Sequence, residues 1–422
     1  FLQRIILDNV RSIEHLDLAF RTGSPSAEGE TRRWTYLLGE NGTGKSTLLR
    51  SIALILAGSD ALPELLGQPA DWVRFGQDEA RIHVEIVTAD GEPRVADLTI
   101  RAKDTIRELY ARNEHLLSTL DSAFEHSSRS YFTVGYGVSR RPSDEKTSVV
   151  SSTSKFANPR ARSVATLFST AATLVSLETW AMDLDYRKGG FEIIRDAIDR
   201  MLPGVDLASI DRDRRELTFK TPDGTLPFRL LSEGYQNVAA WTGDLLYQIT
   251  DVFEDYTDPF STRGLLLVDE VDLHLHPRWQ RRLMEFVGDR FPHLQLVVTT
   301  HSPLTAHQAG DGELFFLRRE NDKGPARLEA YPGAPRNLML HQVLTTPAFG
   351  LSTLDSRVVE VKKQEYRELR DAPRKSSQAK ARLKDLKDEL ADLPDWTQGI
   401  EGESRLTALL DRVDKDLARR EG

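Results

Sequence analysis

Cysteine is missing from all 422 residues. That excludes disulfides, a zinc–thiolate centre and a cysteine nucleophile, and it suits a reducing compartment, so the cytoplasm is the expected location. Long apolar runs are also missing. With 39% hydrophobic and 29% charged residues, no stretch approaches the roughly 20 apolar residues that cross a bilayer, and no membrane partner is expected. An excess of positive charge is the third absence: 56 Lys and Arg against 65 Asp and Glu give a net charge of −9. This excludes nucleic-acid binding through the overall field and leaves room for a local basic stripe. The chain begins at Phe1 rather than methionine, and its first ten residues alternate like a strand, unlike a signal peptide. No internal repeat is present. The length exceeds one compact core, so two or three structural units are expected.

What is present begins with three strand patterns, at 4–9, 15–20 and 34–38, the last two separated by a Gly/Ser/Glu-rich turn at 22–31. Leu48, Leu49, Ile52, Ala53 and Leu56 then recur at helical spacing. Alternation over 81–102 around Ala89-Asp90-Gly91-Glu92 reads as a β-hairpin, followed by a helix over about 104–125. The stretch 143–163, rich in Ser, Thr, Lys and Arg, reads as a surface loop, and helical spacing returns over 164–202. A second hairpin flanks Pro222-Asp223-Gly224, with strands at 215–220 and 226–230. Buried-strand runs at 264–268 and 294–299 enclose a helical pattern at 277–291, which implies a parallel sheet. Beyond about residue 355 the composition turns to charged helices. Leu383, Leu386, Leu390 and Leu393 form one stripe and Leu406, Leu410, Val413 and Leu417 another, with a break near Pro394.

The strongest pattern lies between the third strand and the first helix. Gly39-Glu40-Asn41-Gly42-Thr43-Gly44-Lys45-Ser46-Thr47 fits G-x-x-x-x-G-K-[ST] in the strand–loop–helix context that a phosphate cradle needs. Glycines allow the backbone N–H groups, those of Asn41, Gly42 and Gly44 included, to turn inward, and the helix N-terminus adds positive potential. Lys45 is placed to reach β- and γ-phosphates, Ser46 to ligate Mg²⁺, and Thr47 to touch the α-phosphate side. An ordinary glycine turn with a solvated lysine is the competing reading.

Gly264-Leu265-Leu266-Leu267-Val268-Asp269-Glu270 is an apolar strand ending in two acids. The first suits a metal-bound water and the second a general base, although strands ending in Asp-Glu are common. Ser232-Glu233-Gly234 opens a helix whose N-terminal amides suit a γ-phosphate; an ordinary cap by Ser232 is the alternative. His301 ends the 294–299 run beside the acid pair, where an imidazole can donate to a phosphate oxygen or serve the structure alone.

In this order, the four segments resemble the Walker A, signature, Walker B and switch histidine of ABC ATPases. Asp8-Asn9-Val10-Arg11-Ser12 resembles the entry strand of SMC- and RecF-like ATPases, which implies Arg11 as a phosphate ligand; a surface arginine is the equal alternative. Val271-Asp272-Leu273-His274-Leu275-His276-Pro277, with Arg278-Trp279-Gln280, resembles the corresponding string of RecF/OLD-like defence ATPases and puts His276 where an aspartate is usual. A zinc reading of His274 and His276 lacks further ligands. For the glutamine loop the candidates are Gln77, after a strand entry at 72–76, and Gly135-Tyr136-Gly137-Val138-Ser139-Arg140-Arg141, which is similar to a segment of the same defence ATPases. There glycine flexibility and Arg140, with Tyr136, would couple nucleotide to a helical lobe.

The resemblance implies an α/β ABC ATPase head. Its parts are a mixed β-sheet lobe, a parallel-sheet RecA-like core, an inserted helical lobe and a C-terminal helical appendage. The expected division is 1–102, N-terminal lobe with Walker A; 103–210, helical lobe with the loop at 143–163; 211–355, C-terminal lobe with signature, Walker B and switch histidine; and 356–422, the appendage. ATP and Mg²⁺ are the implied cofactors. Catalytic roles fall to Glu270, His301 and Lys45; nucleotide contacts to Arg11, Asn41, Gly42, Gly44, Lys45, Ser46, Thr47, Ser232 and Gly234; metal contacts to Ser46 and Asp269. Two copies are expected to clamp around ATP as a homodimer or higher homo-oligomer. The interval from Lys45 to Ser232 is longer than a transporter-coupling ATPase normally needs and too short for SMC coiled-coil arms, and no sustained heptad run appears. The chain is most similar to the ATPase of Septu-type anti-phage systems, a resemblance joined by Leu344-Thr345-Thr346-Pro347-Ala348-Phe349-Gly350-Leu351. It implies a separate nuclease subunit, with a RecF/SMC-like DNA-repair ATPase and a transporter-coupling ATPase as alternatives. The leucine stripes offer either a partner face or mutual packing as a hairpin. Arg140, Arg141, Lys146, Lys155, Arg160 and Arg162 are the candidates for contact with DNA or RNA.

Overall fold

A computed structural model describes residues 1–21, 31–88, 90–126, 132–141, 156–188, 190–202, 204–252, 259–273, 275–319, 324–346, 348–351, 353–374 and 376–391. The first half of the chain runs β1 (Leu2–Val10), β2 (Ile13–Ala19), β3 (Trp34–Gly39), α1 (Lys45–Leu56), α2 (Leu62–Leu66), β4 (Glu79–Val87), β5 (Pro93–Arg101), α3 (Ile106–His126), β6 (Thr133–Tyr136), α4 (Pro159–Phe168), α5 (Leu177–Lys188) and α6 (Phe191–Met201). The second half runs β7 (Asp206–Asp211), β8 (Glu216–Thr221), β9 (Gly224–Pro227), α7 (Glu233–Val252), β10 (Gly264–Val268), α8 (Pro277–Arg290), β11 (Leu294–Thr300), α9 (Pro303–Ala306), β12 (Leu314–Arg319), β13 (Ala326–Ala330), α10 (Leu340–Leu344), α11 (Arg357–Asp371) and α12 (Ser377–Ala391). Two compact units result, Phe1–Val343 and Leu344–Gly422.

In the first unit the period of burial follows from what each strand faces. β4 alternates buried and less buried residues and belongs to an antiparallel sheet of order β2-β1-β4-β5 with one face on the core. All seven residues of β11 are buried, as are four of the five in β10, because both faces of their sheet are covered. That sheet has the order β13-β12-β3-β11-β10-β6; β12, β3, β11, β10 and β6 run parallel and β13 closes the edge antiparallel. Helix α1, buried along almost its whole length, contacts strands of both sheets. A helix apolar all round is what a position between two sheets demands.

Two buried polar residues join the sheets. Gln295 is fully buried in β11; its Nε2 donates to the carbonyls of Leu2 and Arg32, and its Oε1 accepts from the Leu2 N–H at 2.7 Å. Arg32 stacks over Phe315 at 4.5 Å and donates to the carbonyls of Ala19 and Gly312, while burial pushes its guanidinium down to about 10. Each satisfies main-chain groups that no ladder reaches.

Several sequence expectations change. The second hairpin is a three-stranded sheet, β7-β8-β9, and 228–230 form a 3-10 turn. The loop expected at 143–163 gives way to α4 at Pro159, capped by the Asn158 side chain; 142–155 lie outside the described residues. Residues 72–76 are no strand, and Val73 makes only an isolated bridge to Val10. In the second unit α11 and α12 pack on each other around Tyr366, Leu386 and Leu390, with Val359, Leu369 and Leu383 beside them. The 383–390 stripe thus faces α11, and the chain turns between α11 and α12 near Pro373; the break expected near Pro394, Leu393 and the stripe at 406–417 lie outside the described residues.

Candidate functional site

The parallel strands β3, β11 and β10 are neighbours in that order, and their carboxyl ends deliver Gly39–Lys45, His301 and Asp269–Glu270 to one edge of the sheet. Ligands of open α/β sheets bind at such edges. The loop after β3 is closed by Thr43, whose hydroxyl donates to the Glu40 carbonyl at 2.8 Å. Gly42 and Gly44 take φ of 78° and 110°, values that side chains resist, and at Gly44 a Cβ would also lie 2.9 Å from Ile13. Lys45, 6% exposed, donates from Nζ to the carbonyls of Gly39 at 2.6 Å and Glu40 at 2.9 Å. Burial lowers its pKa, against the opposing pull of Asp269, Glu270 and Glu40. Asn41 and Gly42 are exposed at the tip, Ser46 is half-buried and Thr47 buried.

Asp269 is buried, and its Oδ1 accepts from Thr299 Oγ1 at 2.6 Å, while the same hydroxyl accepts from the Glu270 N–H at 2.7 Å. One threonine thereby fixes the acid pair to the central strand. Glu270 has φ 48°, and both its carbonyl and that of Asp269 accept from Arg140 Nη2. Thr300 donates to Asp272 Oδ1, and burial raises the Asp272 carboxyl. The pKa of His301 is lowered by desolvation and then by the charge of Lys45, with Glu270, Asp272 and Asp269 pulling the other way. Lys45, Asp269, Glu270 and His301 therefore lie within one another's electrostatic reach.

Ser232 precedes α7 and is exposed, and Gly234 sits in its first turn, against Trp279 of α8. A Cβ at Gly234 would meet Trp279 Nε1 at 3.6 Å, an ordinary contact, so among the described residues nothing requires glycine there. Tyr235 meets Trp279 edge to face at 6.0 Å. Arg11 lies over the Trp72 ring at 4.6 Å and donates from Nε to the Asp71 carbonyl, beside a cavity of about 180 Å³ also lined by Arg50, Glu64 and Phe168. Its neighbour Ser12 approaches Gly44, which puts this segment against the phosphate loop.

His276 caps α8, accepting from the Arg278 N–H at 3.3 Å. His274 lies outside the described residues, and among those described no group of three or more His, Cys, Asp and Glu residues is placed to hold a metal ion. Of the basic set, Arg140 points inward onto the acid pair. Arg160 and Arg162 are half-buried on α4, Arg162 donating to Ala157; Arg141 is exposed; Lys146 and Lys155 lie outside the described residues. No described helix is long and apolar enough to cross a membrane.

Behind the acid pair, Tyr136 donates to Asp244 Oδ2 at 2.9 Å and the Val175 N–H reaches Oδ1 at 2.8 Å. Burial pushes the Asp244 carboxyl up to about 6 from its ordinary 3.8, opposed by Val175, Tyr136 and Gln248. The folded chain thus holds this proton more tightly than the unfolded chain. Stability therefore falls as pH rises from about 4 to 6 and stays lower above that. Asp244→Asn, whose amide oxygen can keep the Val175 N–H while the Tyr136 hydroxyl turns to accept from its NH2, should gain up to about 2–3 kcal/mol over wild type at pH 7.5 and little at pH 4. Denaturant melts at both values check this, and equal stability at pH 7.5 would contradict it.

A family model described as "AAA domain, putative AbiEii toxin, Type IV TA system" matches residues 35–306, from the strand before the phosphate loop to just past His301. The chain belongs to this family. As an AAA-type ATPase domain it is 27% identical over 395 residues to "Septu protein PtuA" of Bacillus mycoides (strain KBAB4), covering 93% of this chain and 50% of that protein. Over 125 residues it is 30% identical to "Retron Ec83 probable ATPase" of Escherichia coli, covering 30% and 23% of the two chains. The AAA domain with its flanks thus spans half the length of the first relative and less of the second. Among solved structures, the SMC head domain from Thermotoga maritima matches with a TM-score of 0.44 and 14% identity, covering 78% of this chain and 98% of that one. The recombination mediator protein RecF bound to ATP gives 0.41 and 14%, over 78% and 99%. The family match agrees with the ABC-type ATPase resemblance read from the four motifs.

Proposed function

We propose that this chain is an ATP-binding and ATP-hydrolysing head that works as a dimer closed around two nucleotides. The observation that carries the reading is the convergence of Lys45, Asp269, Glu270 and His301 at the carboxyl ends of three adjacent parallel strands. The amides of Asn41, Gly42, Gly44 and the start of α1 cradle the phosphates, Lys45 turns from its own loop carbonyls to the β/γ oxygens, Thr47 meets the α-phosphate side and Arg11 approaches from the edge beside Ser12. Ser46 and Asp269 offer hard oxygen ligands of the kind Mg²⁺ prefers, and the ion would neutralise charge on the phosphates. Glu270 takes the proton of the attacking water. His301, kept largely neutral by desolvation and Lys45, donates an N–H to the phosphate oxygen where charge grows.

Ser232 and Gly234 of a second copy complete the site by presenting the N-terminus of α7 to the γ-phosphate. The exposure of Ser232 and its place just before the first turn of α7 support this role. A mixing experiment tests it. Lys45→Ala and Gly234→Ala should each abolish turnover alone, whereas a re-assorted equimolar mixture regains roughly a quarter of wild-type activity, since half the dimers then hold one intact composite site. A mixture as inactive as its components would rule out sites shared between subunits.

Resemblance to the Septu and retron proteins places this head, in our proposal, in anti-phage defence. It would respond to DNA or RNA and govern a separate nuclease subunit. Nucleic-acid contact would fall to Arg141 and to residues outside the described set rather than to Arg140.

A further inference from the structure

We propose that Arg140 is a positioning residue for ATP hydrolysis: it holds the turn that carries Glu270 from behind, and it is itself held by the strand that braces the signature helix. This rests on the hydrolytic reading above and adds to it a residue that touches neither nucleotide nor water. Glu270 follows a buried strand with a positive φ, a conformation that side-chain-bearing residues resist and that persists only where its surroundings impose it. Three groups do so. Thr299 Oγ1 takes the Glu270 N–H, and Arg140 Nη2 donates to the carbonyls of Asp269 and Glu270 together, while Arg140 Nε donates to the Gly137 carbonyl at 3.0 Å. A planar guanidinium can serve carbonyls on two chain segments from fixed positions, which an ammonium cannot.

The platform under Arg140 is rigid. The Tyr136 carbonyl accepts the Asp269 N–H at 2.8 Å, and its hydroxyl is fixed by Asp244 in the middle of α7. The Gly137 N–H is bonded to Thr166 Oγ1 of α4 at 3.1 Å. One short segment, 136–140, therefore joins the signature helix, α4 and the Asp269–Glu270 turn inside a single chain. With Arg140 in place the Glu270 carboxylate starts from a backbone clamped at N–H and carbonyl alike, so little reorientation remains when water is attacked.

The test uses the full chain and ATP. Arg140→Ala should lower kcat by about 10²-fold with KM and equilibrium ATP affinity within about twofold of wild type, because the phosphate cradle is untouched. Added guanidinium at millimolar concentration should restore part of the lost rate, and Arg140→Lys should recover less than that. Hydrogen exchange without nucleotide should speed up at the amides of residues 269–273 in Arg140→Ala and stay unchanged at 44–49. Wild-type turnover matched by Arg140→Ala overturns this proposal alone. So does a rate loss mirrored in ATP affinity and unmoved by guanidinium, which marks a merely structural arginine. A wild type that binds ATP without hydrolysing it overturns the hydrolytic reading together with this one.

Discussion

Glu270→Gln should slow ATP turnover by about 10²- to 10³-fold while ATP binding persists, and should leave a long-lived ATP-bound dimer visible by light scattering. Glutamine has the size of glutamate and loses only the ability to accept the proton from water. The backbone constraints at this position, the N–H on Thr299 and the carbonyl on Arg140, do not involve the carboxylate and survive the change. A fall in rate is therefore chemical rather than conformational. Trapping is expected on the proposed cycle, in which closure would depend on binding the triphosphate and reopening on cleaving it. Equal hydrolysis by wild type and Glu270→Gln would remove the general base from the mechanism. Loss of ATP binding as well would show the carboxylate acting on the ground state.

The parts of this site that could be read in the sequence are those whose chemistry needs a contiguous string. The phosphate loop and the strand ending in Asp269-Glu270 combine a long apolar run with fixed polar residues, and both occur where the pattern puts them. Strand β6 was harder to see. It has four residues, two of its segment's glycines stand at 135 and 137, and only pairing with β10 makes it a strand. The contacts of Thr299 and Arg140 with the acid pair are hidden for a related reason: the sequence offers Arg140 only as a coupling residue or a nucleic-acid contact and Thr299 only as part of a buried run, and both reach Asp269–Glu270 only once β11 and β6 flank β10. Gln295 and Arg32 were likewise invisible, since each satisfies carbonyls from distant parts of the chain. Periodicity reported the face of α12 at Leu383, Leu386 and Leu390 and gave none for α11, and whether a leucine stripe meets a partner or the neighbouring helix is decided by topology.

The glycines of 135–137 invite the assumption of flexibility, and packing argues for the opposite. A Cβ at Gly137 would stand 2.0 Å from the Thr166 carbonyl oxygen, and one at Gly135 would stand 2.4 Å from Leu167 Cδ1. The second clash is with the end of a side chain that can turn away; the first is with main chain inside α4, which cannot move without breaking its helix. Gly137→Ala should therefore destabilise the chain by about 3 kcal/mol or more, at the upper end of overpacking effects. Gly234→Ala, with ordinary contacts and a place in the first turn of α7, should melt within about a degree of wild type or slightly above it. Paired thermal scans make the comparison. An unshifted Gly137→Ala would mean that β6 and α4 stand further apart, and the rigid platform under Arg140 would go with them. A large loss at Gly137 beside none at Gly234 separates the two glycines: the first admits a neighbouring helix, whereas the fold of the chain does not depend on the second, which is the behaviour expected of Gly234 if its role is the proposed one across the dimer.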